Sequence, residues 1–453
     1  MEVGMRRGLV CLAVCFGLVL GSCSARNDEF PEIDYTSSTS SQTPVSDVSV
    51  STTTDPVIDI SLALPYSDST VDLLLRMYYA KKTDQFPEDQ TGSDINLDYL
   101  SAIDLPWAVN TIQISSEGVG ADSIISWANE GNMPDIMLVN DISSAYSTGE
   151  IALLDDYLYA LPINDSVNVN SLSSCYMDGH IAGLPAYLSV LVLVGNTAYI
   201  PETGVLPYRS TVSEFSSYLS SISSSYEGVI PFADPYELMP YMSSAFNYDE
   251  PMSYMMLSEY EAVPSSVGTV LSDELAFVES LYDLYPYDVP TGDVRLSGNA
   301  AMWLTSSGKI KMWSDYYSSD IYLSLLPTAS SDSPIVPMAN VYPLCVSATS
   351  SDISFSSDLA YFLCFDPDAL MLIYRLEPMT GYFPSVSTPT VWDQMYLSSE
   401  NGAFEMLFED VMDDMVVCPN GEDPTYIAVN SYLSSYFTEE DIEEPFDLGG
   451  CLP

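Results

Sequence analysis

Residues 127–141 read WANEGNMPDIMLVND, and the way this stretch divides decides the fold class. Ala121 to Asn129 has the spacing of a short helix; Gly131 stands just past its end and Pro134 follows, the pattern of a helix that stops. Ile136 to Val139 is a short apolar run, which predicts a buried strand. Asn140 and Asp141 then open a polar loop. A helix that stops, turns and feeds a buried strand is one step of an α/β chain.

The same alternation continues on both sides. Val57 to Leu64 alternates apolar and polar residues up to Pro65 and predicts a strand. Asp68, Ser69 or Thr70 is the expected cap of the next helix, in which Val71, Leu74, Leu75 and Tyr78 recur at helical spacing up to Lys82. Leu188 to Val194 is a mostly apolar strand, as in a sheet covered on both faces. Asp273 to Tyr285 is helical by pattern until Pro286 stops it. Ala300 to Thr305 predicts a strand, with Ser306 or Ser307 capping a helix through Trp313. Ser356 to Phe365 and Pro367 to Arg375 predict two more helices. No fixed-period repeat is present, and the expected class is α/β.

Composition narrows the function. The chain has 453 residues, 47% of them hydrophobic, enough for a sizeable core. Its 64 acidic residues against 11 basic ones give a net charge of −53. Such a field repels phosphate backbones and anionic lipid heads, which excludes a general nucleic-acid binder and a basic membrane-surface protein. The single histidine, His180, leaves little for a His-based metal site or a His-dependent triad. No GxSxG, HExxH or P-loop motif occurs. Neither an enzyme nor a cofactor is therefore expected.

The first residues read as an export signal. Arg6 and Arg7 precede an apolar run of 13 residues, Gly8 to Leu20, too short for a spanning helix of ~20. The run ends in Leu20-Gly21-Ser22-Cys23. Ser24 to Pro56 is rich in Ser, Thr, Asp and Pro and cannot offset its ordering entropy by burial, so it reads as a flexible tether. Its reach is roughly 30 Å. Of the cysteines beyond it, Cys345 and Cys364 sit in apolar runs and are expected in the core, Cys175 is left over, and a Cys418–Cys451 bridge stays open. No CxxC spacing suggests a metal cluster.

Five stretches, in order, carry a resemblance. They are WANEGNMPDIMLVND, TGEIALLDDYL (148–158), YMDGHIAGLPAYLSVLVLVGNTAYI (176–200), LSGNAAMWLTSSGKI (296–310) and YRLEPMTGYFPSV (374–386). Together they resemble the extracellular solute-binding proteins of ABC importers, in the maltose-binding-protein-like, carbohydrate-binding branch. Leu20-Gly21-Ser22-Cys23 likewise resembles the bacterial lipobox, which implies lipid attachment at Cys23 after removal of residues 1–22. The resemblance spans Val57 to Ser387. It implies a two-lobe periplasmic-binding-protein-like fold with hinge crossovers and an interlobe ligand cleft. Lobe one is expected at about 57–195 and 334–365, lobe two at about 196–333 and 366–453. The partners implied are a small solute and the ABC permease, for a monomer on the outer face of the bacterial cytoplasmic membrane that meets the bilayer only through its anchor. Two departures stand out. His180 replaces the family's usual lysine, and Thr305-Ser306-Ser307-Gly308 stands where the maltose binder carries a sugar-stacking aromatic residue.

In open α/β sheets, ligands sit at the carboxyl ends of strands. The candidate ligand-binding residues are accordingly Tyr66, Ser67 and Asp68 after the first strand, Asn140 and Asp141 after PDIMLV, and Tyr187 in the turn expected at Pro185-Ala186-Tyr187. In the second lobe they are Tyr236, Trp303, Thr305, Ser306 and Tyr382. Sugars offer paired hydroxyls and an apolar ring face, which carboxylates, amides and aromatic rings complement. A saccharide is the expected cargo, with cationic peptides or polyamines as the alternative. Tyr66 and Asp68 have an equally good reading as packing and capping residues, Trp127 as core, and His180 as a solvated hairpin residue. A surface adhesin or a glycan-active lipoprotein would share the export signal and tether without needing the strand–helix order. In a bacterial host, intact-mass measurement of the mature protein should show an N-terminal acylated Cys23, and Cys23→Ala should abolish the acyl mass; a wild-type protein without acyl groups would contradict the anchor.

Overall fold

The computed structural model describes residues 59–158, 166–241, 265–286, 293–332, 338–377, 379, 381–398 and 416–417. The strands in chain order are β1 (Asp59–Leu64), β2 (Ala108–Gln113), β3 (Ile136–Leu138), β4 (Tyr176–Met177), β5 (His180–Ile181), β6 (Leu184–Asn196), β7 (Ile230–Phe232), β8 (Ala300–Ser306), β9 (Ile321–Ser324), β10 (Met338–Val346), β11 (Phe383–Pro384) and β12 (Val416–Val417). The main sheet runs β2-β1-β3-β10-β6-β8-β7. β1 pairs in parallel with β2 and β3, and β7 with β8. Parallel neighbours need crossovers. Helices Asp68–Lys82 and Ala121–Glu130 supply those of the first group.

β6 holds the two ends of the sheet together. Every one of its 13 residues is buried. Leu184 to Val190 pair with β10, whereas Leu191 to Asn196 pair with β8 and β9. β10 in turn joins β6 to β3. Pro185 and Pro343 face each other in this pairing, next to a register shift between Tyr342 and Pro343. A proline has no N–H for the ladder, so the shift falls where the hydrogen bonds are already missing.

The core divides at the same point. Ile60, Leu62, Leu138, Leu188, Val190 and Leu344 share one apolar cluster, and Leu191, Leu193, Phe215, Phe232, Met302 and Leu304 form another. Met338 belongs to the second and Ala339 to the first. The chain thus leaves the first lobe around residues 190–193, where β6 side chains alternate between the two clusters (Val190 and Val192 in the first, Leu191 and Leu193 in the second), and returns between Met338 and Ala339, which makes the α/β fold two-lobed.

Local features follow from their residues. The Ala121–Glu130 helix ends at Gly131 in the left-handed region (φ 71°), as the sequence implied. Asp178 and Gly179 both have positive φ, the two-residue turn that fits a twisted hairpin, and they join β4 to β5. His180 stands exposed on that hairpin, 3.4 Å from Asp155. Trp127 is half-buried against the cluster of Ile124, Met137 and Val139. Cys175, Cys345 and Cys364 are buried and free.

Several expectations need correction. The segment Pro185-Ala186-Tyr187 is not a turn; it lies within β6, which is longer than the 188–194 expected because the strand continues through both lobes. Ser67, one residue before the residues expected, caps the Asp68–Lys82 helix by accepting from Thr70 N. The predicted helix at 273–285 spans Ser265–Tyr282. Ser306 makes no capping hydrogen bond, and a short 3-10 turn, Ser307–Lys309, precedes the helix Ile310–Tyr316. Helices Pro367–Leu376 and Pro389–Ser398, expected in the second lobe, place Leu370, Ile373, Val391 and Trp392 in the first-lobe core. The reason is electrostatic as well as apolar: Lys81 lies 2.8 Å from Asp366 and 2.5 Å from Asp368. The anchor Cys23, the tether, Cys418, Cys451 and most of the expected C-terminal part lie outside the described residues.

Lys81, Asp366 and Asp368 are each only about a quarter exposed or less. Removing the ammonium leaves two carboxylates facing each other. Lys81→Met should therefore lower stability by on the order of 2 kcal/mol, read as a lower urea midpoint with an unchanged slope.

Candidate functional site

β7 and β8 are parallel, so their carboxyl ends lie side by side, and the chain leaving them builds one wall of a cavity of about 610 Å³. After β7 come Tyr236 and Glu237; at the end of β8 stand Leu304, Thr305 and Ser306, followed by Lys309, Met312 and Trp313. A third segment supplies Asp293, Arg295 and Leu296. The first lobe supplies Glu117, from the loop after β2, and Asn340 and Tyr342 of β10, while Leu191 of β6 lines the cavity at the crossing itself. The cavity therefore sits where β6 and β10 cross from one lobe to the other, and both lobes line it.

Tyr236, Thr305 and Ser306, three of the residues picked from sequence, line this cavity. Trp303 lies behind it, fully buried in edge contact with Trp313, whose indole N–H donates to Thr305 Oγ1 at 3.2 Å. The other candidates do not line it: Asn140 keeps its side-chain Oδ1 buried without a hydrogen-bond partner among the described residues, and the rest are engaged elsewhere. Tyr66 is buried in the first-lobe core, and burial, with Glu377 nearby, raises its phenol above the ordinary range. Ser67 donates its N–H and hydroxyl to Glu377 Oε1 at 2.9 and 2.8 Å. Asp68 accepts from Thr111 Oγ1 at 2.6 Å. Asp141 caps the helix Ile142–Ser147, accepting from Ser143 N and Ser144 N. Asn140 is held beside the loop after β2, donating its N–H to Val119 O at 3.1 Å; a Cβ on Gly118 would fall 2.5 Å from the Val139 carbonyl carbon.

Tyr187 and Tyr382 meet Tyr342 in a three-ring cluster, with centroids 5.0 to 5.9 Å apart. Only Tyr342 of the three reaches the cavity. Tyr187 donates its hydroxyl to Ser116 O at 2.6 Å. Tyr382 packs over Gly308, where a Cβ would stand 2.4 Å from its ring; burial pushes its phenol up to about 12. Ser307 fixes the neighbouring turn, accepting from Val190 N at 2.9 Å and donating to Gly381 O.

The charged groups of the wall are largely spent on one another. Arg295 donates Nε to Asp293 Oδ1 at 3.0 Å and stands 3.7 Å from both Asp234 and Glu237. Burial works against its charge, and the three carboxylates outweigh it, so the guanidinium is held more firmly protonated than usual. Lys309 pairs with Glu117 at 2.8 Å across the two walls. Glu237 is the exception: burial raises it to about 7, against the opposing pull of Arg295. Asp234 is raised by burial as well.

Sequence reasoning missed Glu117, Glu237, Asp293, Arg295, Lys309, Asn340 and Tyr342. One signal was available for two of them. In a chain with 64 acids and 11 bases, each Lys or Arg near a motif stands out, and Arg295 directly precedes the 296–310 stretch while Lys309 lies within it. The strand β10 residues carried no such mark.

No protein-family model matches the chain, and no curated protein matches its sequence. Its structure is similar to that of an ABC substrate-binding protein of Listeria monocytogenes in complex with cycloalternan, at 13% identity and TM-score 0.57 over 85% of this chain and 95% of that one. The fold is that of the ABC substrate-binding proteins. The sugar-binding protein MalE of Xanthomonas citri is similar at 12% identity and TM-score 0.58, over 87% of this chain and 94% of that one. The GacH receptor of Streptomyces glaucescens, solved unliganded and with acarbose, is similar at 14% identity and TM-score 0.55, over 85% and 95%.

The raised Glu237 has a consequence for this substrate-binding fold. A carboxyl whose pKa is higher folded than unfolded favours folding while protonated, and that contribution is lost as pH rises from ~4.5 through about 7. Glu237→Gln, a fixed mimic of the protonated form, should melt higher than wild type at pH 8 and equally at pH 4. Equal melting at both would show that Glu237 titrates in its ordinary range.

Proposed function

We propose that this protein is a lipid-anchored extracellular solute-binding protein that captures a sugar or oligosaccharide and hands it to an ABC importer. The observation that carries this reading is the cavity at the lobe crossing. About 610 Å³ is within the usual ~300–1,000 Å³ range of a small-ligand site. Its walls offer the aromatic surfaces of Tyr236, Tyr342 and Trp313 beside the hydroxyls of Thr305 and Ser306 and the amide of Asn340. Rings cover a pyranose face, while hydroxyls and amides donate and accept along its edge. The saccharide ligands named for the Listeria and Streptomyces relatives support the same class of cargo.

The two walls belong to different lobes, so a solute touching both favours the arrangement in which they stand close. That arrangement is what a permease would recognise. Leu20-Gly21-Ser22-Cys23 and the following tether would keep the protein at the outer face of the membrane, as a monomer, where an importer could meet it.

The test is a thermal-shift screen with mono- and oligosaccharides, followed by calorimetry. A saccharide at a hundred times its Kd should stabilise the fold by about 2.7 kcal/mol. Tyr236→Ala and Asn340→Ala, one in each wall, should each weaken binding about tenfold to a hundredfold, or ~1–3 kcal/mol. A protein stabilised only by basic peptides or polyamines would replace the saccharide reading. Conversion of a sugar into product would point to an enzyme instead.

A further inference from the structure

The charge on the cavity wall does not balance. Among the described residues three carboxylates line it, Glu117, Glu237 and Asp293, with Asp234 3.7 Å from Arg295. Against these four stand two cations, and both already have close partners. Arg295 gives its described hydrogen bonds to Asp293, and Lys309 gives its ammonium to Glu117. Glu237 is left with Arg295 at 3.7 Å, an ion-pair distance too long for a good hydrogen bond, and no side-chain hydrogen bond of Glu237 is found among the described residues. A carboxylate that faces a cavity can accept from a sugar hydroxyl or from an N–H, but a hydroxyl leaves the excess negative charge of this wall uncompensated. An N–H-bearing cation fills the acceptor positions and offsets that charge as well.

The neutral part of the wall argues against a bare cation. Tyr236, Tyr342, Thr305, Ser306 and Asn340 supply the ring faces and hydrogen-bonding groups that a sugar uses, and a linear polyamine has no ring or hydroxyls to set against them. The ligand that satisfies both parts has a pyranose body and a basic substituent.

We infer that the solute is an amino-saccharide, a sugar or short oligosaccharide with a free protonated amine, and that Glu237 receives the amine. This rests on the saccharide reading above and narrows it. The ammonium donates to Glu237, whose two oxygens then have a partner inside the cavity, while the ring lies between the aromatic side chains of the two walls. Burial, which raises Glu237 to about 7, agrees with this: a positive charge placed beside it would favour its ionised form. An acetylated nitrogen carries no charge and adds bulk at the same place, so the N-acetyl form should be rejected. Sugar acids should be excluded by repulsion from the same wall.

The experiment compares sugars that differ only in one substituent. Glucosamine, glucose and N-acetylglucosamine form one set; the fully deacetylated chitotriose, cellotriose and N,N′,N″-triacetylchitotriose form a second, with one backbone and one length. Calorimetry is done at pH 7 on the mature chain. At least one amine form should bind at least tenfold more tightly than its neutral and acetylated counterparts. Glu237→Gln should collapse that ratio towards one, with circular dichroism and melting confirming that the variant is folded. Equal or tighter binding of the neutral sugar overturns the amine assignment and leaves the saccharide reading standing. An amine preference that survives Glu237→Gln overturns the role given to Glu237. Binding of spermidine or a lysine-rich peptide with no saccharide bound overturns both readings.

Discussion

A single strand constrains this molecule. β6 is buried along all 13 residues, and its two halves are hydrogen-bonded into different neighbourhoods, β10 before Leu191 and β8 with β9 after it. A strand in that position must be apolar on both faces, because each half is covered above and below by packed elements. It also cannot slip by one residue, since a slip would exchange the faces of both lobes at once. The cavity, the lobe boundary and the return of the chain through β10 are all placed by that one register.

The polar groups around the crossing follow from the same geometry. A buried strand shared by two cores brings backbone from each lobe close to the other, and those backbone groups need partners. Ser307 serves two of them, taking Val190 N and giving to Gly381 O, while Ser189 accepts from Gly308 N. The ring cluster of Tyr187, Tyr342 and Tyr382 fills the remaining space. Hydroxyls and phenols thus replace larger apolar side chains where the backbone is most crowded.

The elements legible in the sequence were those decided locally. The helix stop at Gly131 and the strand at 136–138 depend on glycine conformation and a short apolar run, and both stand where the pattern placed them. Tyr236, Thr305 and Ser306 were found because position at or just beyond the end of a strand is itself a local property. Tyr66, Tyr187 and Tyr382 were not separable from cavity residues by such reasoning. A tyrosine is as suited to a core as to a cleft, and which it occupies depends on residues far along the chain: Ser116 for Tyr187, Glu377 for Tyr66, Gly308 for Tyr382. The same distance hid the placement of the Pro367–Leu376 helix, whose attachment to the first lobe rests on Lys81.

The contact between Tyr382 and Gly308 has a meaning for how related chains can differ. The two residues are far apart in the chain yet occupy one volume, because the ring stands where a side chain on residue 308 would be. The segment Ser307-Gly308 that follows β8 carries no ring of its own, and Tyr382 brings one to it from a later part of the chain. Substitution at either position alone is then a steric conflict or a void, so the two positions should vary together in chains that keep this packing.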